Sequence, residues 1–373
     1  MANSELYIGL MSGTSADGVD LALVDFASGK PVLVATSFTP FDQIISQHIQ
    51  QLYQPASNEI DQAFSLSKEL ANYFANAVNS FLSQQQLSAA DIIAIGNHGQ
   101  TIRHRPASTE QPFPFTLQIG CNQTLACLTG IKVIGDFRQK DIALGGQGAP
   151  LVPPFHRMLL ASQSDDNFVV NIGGIANITF LPKDKDKPIT GFDTGPGNCL
   201  LDSWFQRHHS DKTMDEDGLW ASSGNVIEPL LQNMLNDAYF SQSLPKSTGR
   251  EVFNLSWLTS YSENSSAAAQ DIQATLSALT AKTIADDIIK LSDSGKVYVC
   301  GGGVHNKLLM AQLQSYLAKF SVLNINSLGI DGDSLEAMAF AWLAYAYTHQ
   351  QPSNLPSVTG ASKATTLGAL FLP

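Results

Sequence analysis

Two hairpin-like segments carry residues that could bind phosphate. Residues 12–18 read Ser-Gly-Thr-Ser-Ala-Asp-Gly between the apolar stretches YIGLM and VDLALVDF, and residues 168–181 repeat the strand, turn, strand pattern around a Gly-Gly pair. Such turns can point N–H groups and hydroxyls at one anion, and two of them can hold a triphosphate from both sides. A single turn of this kind is more often only a tight turn. The repetition, together with Gly301-Gly302-Gly303 after a predicted strand, favours phosphate binding.

Asp193 is the carboxylate that the sequence places best for acid–base chemistry. It ends the strand-like segment 189–193 and is followed by Thr-Gly-Pro-Gly-Asn and a predicted helix. A carboxylate at a strand end before glycines is exposed rather than packed, which favours the role of a general base. The structural alternative is a cap for the N-terminus of the helix that follows.

The sequence lacks the motifs of two other common nucleotide-binding folds. It contains no GxxxxGK[ST] motif, and no GxGxxG in the strand-to-helix context of a dinucleotide fold. The formal net charge is −12 and no basic run occurs, so we expect no nucleic-acid partner and no binding to an anionic membrane surface. An acidic protein can still bind phosphate through backbone N–H groups and a divalent cation.

The cysteines and the N-terminal residues indicate a cytoplasmic protein. Cys121, Cys127, Cys199 and Cys300 have no metal-ligand spacing, and they predict reduced thiols. Residues 1–5 are polar and lack the pattern of a signal peptide, and no apolar run is long enough to span a membrane. We therefore expect a cytoplasmic protein with no membrane partner.

The elements that must position these residues alternate between strands and helices. An apolar stripe that includes Leu66, Leu70 and Phe74 predicts a long helix from residue 61, and residues 92–95 predict a short strand that ends in a loop at 96–100. A helix over 122–128 stops at Gly130, and a strand over 132–137 delivers Asp136 and Arg138 to the glycine-rich loop 143–150.

The second half alternates in the same way. The predicted elements there are a helix at 272–291, a strand at 296–300, a helix at 307–320, a strand at 322–325 and a helix at 334–347. Such alternation implies parallel strands covered by helices, hence an α/β fold. At 373 residues the chain fits two domains, which we predict at residues 1–140 and 141–373, with the last helix packing back on the N-terminal domain.

Seven segments, in order along nearly the whole chain, resemble the anhydro-N-acetylmuramic acid kinase family. They are GLMSGTSADGVD at 9–20, GNHGQTI at 96–102, GDFRQKDIALGGQGAPLVP at 135–153, NIGGIANIT at 171–179, FDTGPGN at 192–198, PKSTGREVFN at 245–254 and CGGGVHN at 300–306. The resemblance implies the two-domain hexokinase/actin-like fold, which is ribonuclease H-like, with a cleft between the domains. It places the protein in the superfamily of sugar kinases, chaperone ATPases and actin.

The resemblance also implies roles for single residues. Asp193 is the expected catalytic base. The expected ATP contacts are Gly13, Thr14, Ser15, Ala16, Asp17, Gly18, Val19, Asp20, Gly173, Gly174, Asn177, Gly301, Gly302 and Gly303, with the last three near the adenosine, where glycine allows close backbone approach. The expected sugar contacts are His98, Arg138, Gly195 and Glu336. For His98 a structural role in its loop is an equal alternative, Arg138 could be a solvated charge, and Glu336 could complement a helix dipole.

The reaction that the resemblance implies consumes ATP, with Mg²⁺ chelated mainly by the phosphates and no metal ligand assigned to the protein. Water opens the bridge of 1,6-anhydro-N-acetylmuramic acid and O6 takes the γ-phosphate, giving N-acetylmuramic acid 6-phosphate in cell-wall recycling. A homodimer is implied as well. The alternatives are a conventional sugar kinase and an actin- or chaperone-like ATP switch.

Two features stay open at the level of sequence. Lys246 and Arg250 could contact phosphate or join the domains. The C-terminal segment after Thr359-Gly360 is less basic than the family leads us to expect, which leaves the role of the tail open.

Overall fold

The computed structural model describes residues 4–107, 112–160, 164–244, 246–262 and 267–373. Residues 1–3, which belong to the N-terminal segment considered above, and Pro245, which begins the sixth family-like segment, lie outside the described residues. Among the described residues, no helix combines the length and the apolar character needed to cross a membrane.

The described elements alternate along the chain as the sequence predicts. The strands are β1 (Leu6–Ser12), β2 (Gly18–Asp25), β3 (Val32–Pro40), β4 (Ile92–Arg105), β5 (Phe115–Ile119), β6 (Val133–Gly135), β7 (Asn167–Ile172), β8 (Ile175–Leu181), β9 (Thr190–Pro196), β10 (Gly295–Cys300), β11 (Phe320–Asn324) and β12 (Ala369–Phe371). The α-helices are α1 (Gln43–Gln51), α2 (Glu59–Gln84), α3 (Asn122–Thr129), α4 (Phe137–Ala143), α5 (Pro153–Leu160), α6 (Cys199–His208), α7 (Leu219–Ser222), α8 (Glu228–Leu235), α9 (Leu255–Ser262), α10 (Ala269–Leu291), α11 (Lys307–Tyr316), α12 (Leu335–Thr348) and α13 (Pro356–Thr359).

The chain divides into two compact units. Unit 1 comprises Met1–Leu159 and Ser334–Pro373, and unit 2 comprises Leu160–Asp333. The domains predicted from the sequence, at 1–140 and 141–373, are a different division of the chain, and they stay a prediction. The last long helix, α12, packs on β1, β2 and β4, all within unit 1.

The sheets of the two units share one topology. In unit 1, β1, β2 and β3 form an antiparallel meander, and β4 and then β6 add parallel strands on the other side of β1. In unit 2, β7, β8 and β9 form the meander, and β10 and then β11 add the parallel strands. Strands β5 and β12 extend the first sheet. This repeated order confirms the predicted α/β fold of ribonuclease H-like units.

Each sheet is covered by helices whose apolar residues were visible in the sequence. Helix α2 buries Leu66, Leu70 and Phe74, and α3 ends at Gly130, whose φ of +69° is the left-handed conformation expected at a helix C-terminus. In unit 2, α10 packs its Ile284 and Ile288 into the core that also holds Phe168. These helices confirm the predicted elements.

The predicted loop at 96–100 is wrong, because these residues lie inside the 14-residue strand β4. The glycines there and in β1 serve close packing. Gly9 and Gly96 are cross-strand partners, and a Cβ atom on them would lie 1.7 Å from the Ala337 oxygen and 2.0 Å from the Phe340 oxygen, respectively. Helix α12 therefore approaches the sheet at a distance that only glycine permits.

The predicted strand at 132–137 is also partly wrong. Strand β6 ends at Gly135, Asp136 takes a left-handed φ of +54°, and α4 begins at Phe137. Arg138 consequently lies on the first turn of a helix instead of at a strand end.

Candidate active site

The β1–β2 turn of unit 1 presents polar groups on a rigid base. Ala16 has a φ of +54°, and its N–H donates to the Gly13 carbonyl across 3.2 Å. Thr14, Ser15 and Asp17 are exposed, whereas Ala16, Gly18 and Val19 are buried and Gly13 and Asp20 are half-buried. The turn can therefore offer hydroxyls and backbone groups to an anion without loosening the hairpin.

Two residues that sequence reasoning missed fix this turn. The buried Gln100 accepts from Ser12 Oγ at 2.6 Å and donates Nε2–H to the Gly13 carbonyl at 3.0 Å, while Tyr53 donates its hydroxyl to the Thr14 carbonyl at 2.9 Å. Burial, with a smaller effect of the Asp17 charge, raises the pKa of Tyr53 to about 12, so it remains a donor at neutral pH. Gln100 lies in a family-like segment, but only the β1–β4 pairing brings it to Ser12.

His98 and Arg138 lie in contact in unit 1. The Arg138 guanidinium donates to the Gly148 carbonyl at 2.7 Å and to His98 Nε2 at 2.9 Å. Burial lowers the pKa of Arg138 to about 10, and the negative charge of Glu336 acts in the opposite direction. His98 and Arg138, two of the sequence-predicted sugar contacts, thus lie in direct contact, and the charge of the third, Glu336, acts on the Arg138 guanidinium.

The C-terminal segment has a defined contact with this cluster. The fully buried carboxylate of Asp141 accepts from Gly148 N at 2.8 Å, from Asn354 Nδ2 at 2.9 Å and from Thr359 Oγ1 at 2.8 Å. The Gly148 carbonyl also accepts a hydrogen bond from Arg138. Asn354 and Thr359 of the C-terminal segment therefore stabilise, through Asp141, the loop that contacts the guanidinium. Sequence reasoning missed Asp141, since Asn354 and Thr359, two of its three partners, lie more than 200 positions away along the chain.

Asp193 of unit 2 lies inside β9 and is half-buried, so the exposed strand end predicted at this residue is wrong: the strand continues through the glycine-containing segment to Pro196. Hydrogen bonds hold one oxygen of its carboxylate. Its Oδ2 accepts from Ser247 Oγ at 3.0 Å and from Thr248 N at 3.1 Å. Its backbone N–H donates to the Lys246 carbonyl at 3.0 Å, and its carbonyl accepts from the Tyr239 hydroxyl at 2.7 Å. The residue that caps α6 is Asn198, so the helix-cap alternative for Asp193 does not apply.

The environment of Asp193 changes its affinity for a proton. Burial raises the pKa of the carboxyl above its ordinary value; the hydrogen bonds from Thr248 and Ser247 oppose this effect, and the Glu251 charge adds to it. A raised pKa makes a carboxylate a stronger base, which suits general base catalysis near neutral pH.

Three polar residues stand in register on one face of the unit 2 sheet. Asn171 of β7 is the cross-strand partner of Asn177 of β8, and Asn177 is the partner of Asp193. Directly paired residues on neighbouring strands share a face, and all three are half-buried. The structure thus brings the predicted Asn177 beside Asp193 and adds Asn171, which sequence reasoning missed.

The second glycine turn is tied to the start of α6. The Gly173 carbonyl accepts from Asn198 N at 2.8 Å, and the Gly174 carbonyl accepts from Gly197 N at 2.9 Å and from Cys199 N at 3.0 Å. Gly195 has a φ of +144°, and a Cβ atom there would lie 2.7 Å from Phe240. Backbone hydrogen bonds thus fix this turn against the start of α6, as side-chain hydrogen bonds fix the first turn.

The space available for a side chain differs among the glycines at 301–303. A Cβ atom on Gly301 would lie 2.2 Å from Asn171 Oδ1, and one on Gly303 would lie 2.3 Å from Ile172 Cγ2. At Gly302 the nearest atom, Asn198 Nδ2, would be 3.6 Å away. Gly301 and Gly303 consequently serve close packing against β7, whereas a Cβ atom at Gly302 would make only an ordinary van der Waals contact with the described residues.

Lys246 and Arg250 occupy different environments in unit 2. The Lys246 ammonium lies 3.0 Å from Asp287 Oδ2 of α10 in a fully buried ion pair, without hydrogen-bond geometry between these atoms, and 4.9 Å from the centre of the Tyr239 ring. Lys246 therefore anchors the segment that holds Asp193, which is neither of the roles left open by the sequence. The exposed Arg250 guanidinium lies against Gly174, where a Cβ atom would be 2.7 Å from Nη2.

We expect Ser247→Ala to shift the pH dependence of the reaction. The substitution removes one hydrogen bond to the ionised Asp193 carboxylate, so the pKa of Asp193 should rise further. A base with a higher pKa becomes protonated at higher pH, so the acid limb of the kcat/KM profile should move upward in pH. Profiles of the wild type and of Ser241→Ala, a control outside these contacts, provide the comparison. An unmoved acid limb would mean that Asp193 does not set it.

Two ribonuclease H-like units, each with a glycine-rich turn, form the fold of a class of proteins that includes sugar kinases. Comparison with known proteins gives the particular family. The chain matches the family described as anhydro-N-acetylmuramic acid kinase over residues 5–373. A protein named anhydro-N-acetylmuramic acid kinase from Colwellia psychrerythraea is 56% identical, over 100% of this chain and 98% of that protein. Proteins of the same name from Shewanella frigidimarina and Saccharophagus degradans are 48% and 46% identical, over at least 99% of each chain.

The chain belongs to the anhydro-N-acetylmuramic acid kinase family and is an enzyme of the kinase class. Solved structures that it resembles are distant. A ROK family glucokinase from Streptomyces griseus, in complex with glucose and AMPPNP, is 12% identical with a TM-score of 0.39, over 91% of this chain and 98% of that one. The (R)-2-hydroxyglutaryl-CoA dehydratase component A from Acidaminococcus fermentans is 12% identical with a TM-score of 0.46, over 93% and 100%.

Proposed function

We propose that this protein uses ATP and water to convert 1,6-anhydro-N-acetylmuramic acid into N-acetylmuramic acid 6-phosphate, a step of peptidoglycan recycling. The observation that supports this most is the arrangement of the Asp193 carboxylate. Ser247 and Thr248 hold Oδ2. Within the described part of the chain, Oδ1 accepts no protein hydrogen bond, so it can accept a proton from water.

The proposed reaction joins two bond changes. A water molecule attacks C1 of the sugar and gives its proton to Asp193 Oδ1. The C1–O6 bond breaks, and its electron pair stays on O6, which attacks the γ-phosphorus of ATP and displaces ADP. The proton on Asp193 then leaves to solvent. The hydrogen bonds from Ser247 and Thr248 keep the carboxylate oriented during these steps.

We propose that the glycine turns bind the ATP phosphates. In unit 1 the exposed Thr14, Ser15 and Asp17, with the backbone from Gly13 to Asp20, form the turn that Gln100 and Tyr53 brace. In unit 2 the backbone of Gly173 and Gly174 and the amide of Asn177 contribute further contacts, and residues 301–303 approach the adenosine, with Gly302 the most open.

We propose that a divalent cation, Mg²⁺, arrives with ATP and is held mainly by its phosphates. Among the described residues, no three His, Cys, Asp or Glu side chains are grouped so that they could hold a metal. Mg²⁺ commonly keeps waters and binds substrate phosphates with few protein ligands, and it neutralises phosphate charge when it is bound.

We propose that Arg138, Glu336 and Gly195 hold the sugar. Arg138 has its guanidinium fixed by Gly148 and His98, so it can bind a carboxylate without reordering. Direct contact between His98 and the sugar stays a prediction. A homodimer and a cytoplasmic location are proposed as well; free thiols at all four cysteines support the latter.

Gly13→Val should weaken ATP binding and leave the fold intact. Among the described residues, Ser15 Oγ at 3.6 Å is the one atom near a Cβ atom built at Gly13. The β-branched side chain therefore fits the hairpin but projects where the backbone would meet phosphate. Calorimetric titration with a non-hydrolysable ATP analogue measures the loss, and a thermal melt checks the fold. Unchanged nucleotide affinity would remove this turn from the site.

A comparison of substrates tests the proposed function. We expect ATP-dependent phosphorylation of 1,6-anhydro-N-acetylmuramic acid and none of plain hexoses. Turnover of hexoses alone would favour a conventional sugar kinase, and ATP hydrolysis without any sugar would favour an ATP switch.

A further inference from the structure

We infer that His98 is a positioning residue, which ties the phosphate-binding turn of unit 1 to the guanidinium of Arg138. The inference rests on the proposed function for the roles of the turn and of Arg138, whereas the geometry of His98 stands without it. His98 would then affect the binding of the sugar and of ATP through two separate hydrogen bonds.

The His98 ring is fixed on both sides by protein. Its Nδ1 lies 3.2 Å from the Ser12 carbonyl oxygen, and its Nε2 lies 2.9 Å from Arg138 Nη2. The residue is 7% exposed, and its ring packs 4.7 Å from the ring of Phe340 on α12. Ser12 is the last residue of β1, directly before the turn that begins at Gly13.

These partners determine where the proton of the imidazole lies. Arginine has only donors, so Nε2 must be the acceptor, and a neutral ring with a bare Nε2 carries its hydrogen on Nδ1. Nδ1–H then donates to the Ser12 carbonyl, which has only acceptor capacity. Burial, reinforced by the charge of Arg138, lowers the pKa of His98 to about 3, so the ring stays neutral in the working range.

The two hydrogen bonds have different consequences. One guanidinium nitrogen of Arg138 donates to the Gly148 carbonyl and another donates to His98 Nε2. Within the described residues, the buried Nε of Arg138 has no hydrogen-bond partner. The hydrogen bond that Arg138 donates to His98 is therefore one of two that orient the guanidinium within the described residues. The bond to Ser12 adds to those from Gln100 that fix the start of the turn.

Two substitutions separate these bonds. Asparagine at 98 places an amide donor near the position of Nδ1 but leaves Arg138 without its acceptor. His98→Asn should therefore weaken sugar binding roughly tenfold, the effect of losing one hydrogen bond to a charged group. The affinity for an ATP analogue should change less than about twofold. Glutamine places an amide oxygen near Nε2 and loses the bond to Ser12. His98→Gln should therefore weaken binding of the ATP analogue more than that of the sugar.

Calorimetric titration of the wild type and both variants with each ligand gives the comparison, after thermal melts have shown that they fold. The opposite split in the two variants supports the inference. Equal losses for both ligands in both variants, or no loss, would overturn it, since a merely structural histidine would not distinguish the ligands. Wild-type protein that binds neither ligand would count against the proposed function instead.

A second measurement needs no ligand. The ¹⁵N resonances of the His98 ring in the full-length wild-type protein near neutral pH should show a neutral ring protonated at Nδ1, the less common tautomer. Protonation at Nε2, or a cationic ring, would overturn the inference even if the variants fail to fold.

Discussion

The Asp193→Asn variant is expected to lose roughly 10²–10⁴-fold in turnover, the usual contribution of a general base. Asparagine keeps the size and the hydrogen-bond acceptor that Ser247 and Thr248 contact, but it cannot take a proton from water at neutral pH. Steady-state turnover of the anhydro sugar with saturating ATP measures the loss, and thermal melts should show a stability close to that of the wild type.

The matched control is Asp184→Asn, an exposed carboxylate of the same unit at the tip between β8 and β9. Its turnover should equal that of the wild type. Asp193→Asn with turnover within a few-fold of the wild type would exclude Asp193 as the base, and the reading of its anchored carboxylate would be wrong.

Lys246→Met should destabilise the protein by about 3–5 kcal/mol, because the substitution leaves the buried Asp287 carboxylate without its closest buried cation. Lys290 also contacts Asp287, at 2.8 Å, and it is half exposed, so the lower end of that range is expected. The free energy of unfolding from urea titration, followed by a probe in unit 2, measures the effect.

Two further variants test the cause of this loss. Lys296→Met breaks an exposed ion pair with Asp165 in the same unit and should leave the stability nearly unchanged. The double variant Lys246→Met with Asp287→Leu removes both buried charges and should recover a large part of the lost stability. If the double variant is no more stable than Lys246→Met alone, packing and not charge explains the role of Lys246.

The sequence predicted the elements with strong local signals. Helix α2 follows from its apolar stripe, the end of α3 follows from Gly130, and the two glycine-rich hairpins were visible as strand, turn, strand. The loop predicted at 96–100 failed because a glycine that permits close approach of a helix looks, in sequence, like a glycine that makes a turn. Gly96 serves the contact with α12, whose position no local pattern gives.

The candidate site could be predicted only in part. Asp193 was singled out as a carboxylate before a glycine-rich segment, although the strand end predicted there is wrong, because β9 continues to Pro196. Gln100, Asn171 and Asp141 were not singled out, since their roles depend on strand register and on partners far along the chain. Lys246 illustrates the same limit: its charge suggested a contact with phosphate or a tie between the domains, whereas the structure shows it buried against Asp287 of the same unit.

Turnover in ¹⁸O-labelled water tests most directly the claim that this kinase opens an anhydro ring with water while it phosphorylates O6. Because water attacks carbon and O6 attacks phosphorus, the label should appear at C1 of the sugar product and not in the transferred phosphate. Mass spectrometry of the sugar phosphate and of any free phosphate gives the distribution. Label in free phosphate, or in neither product, would contradict the proposed mechanism.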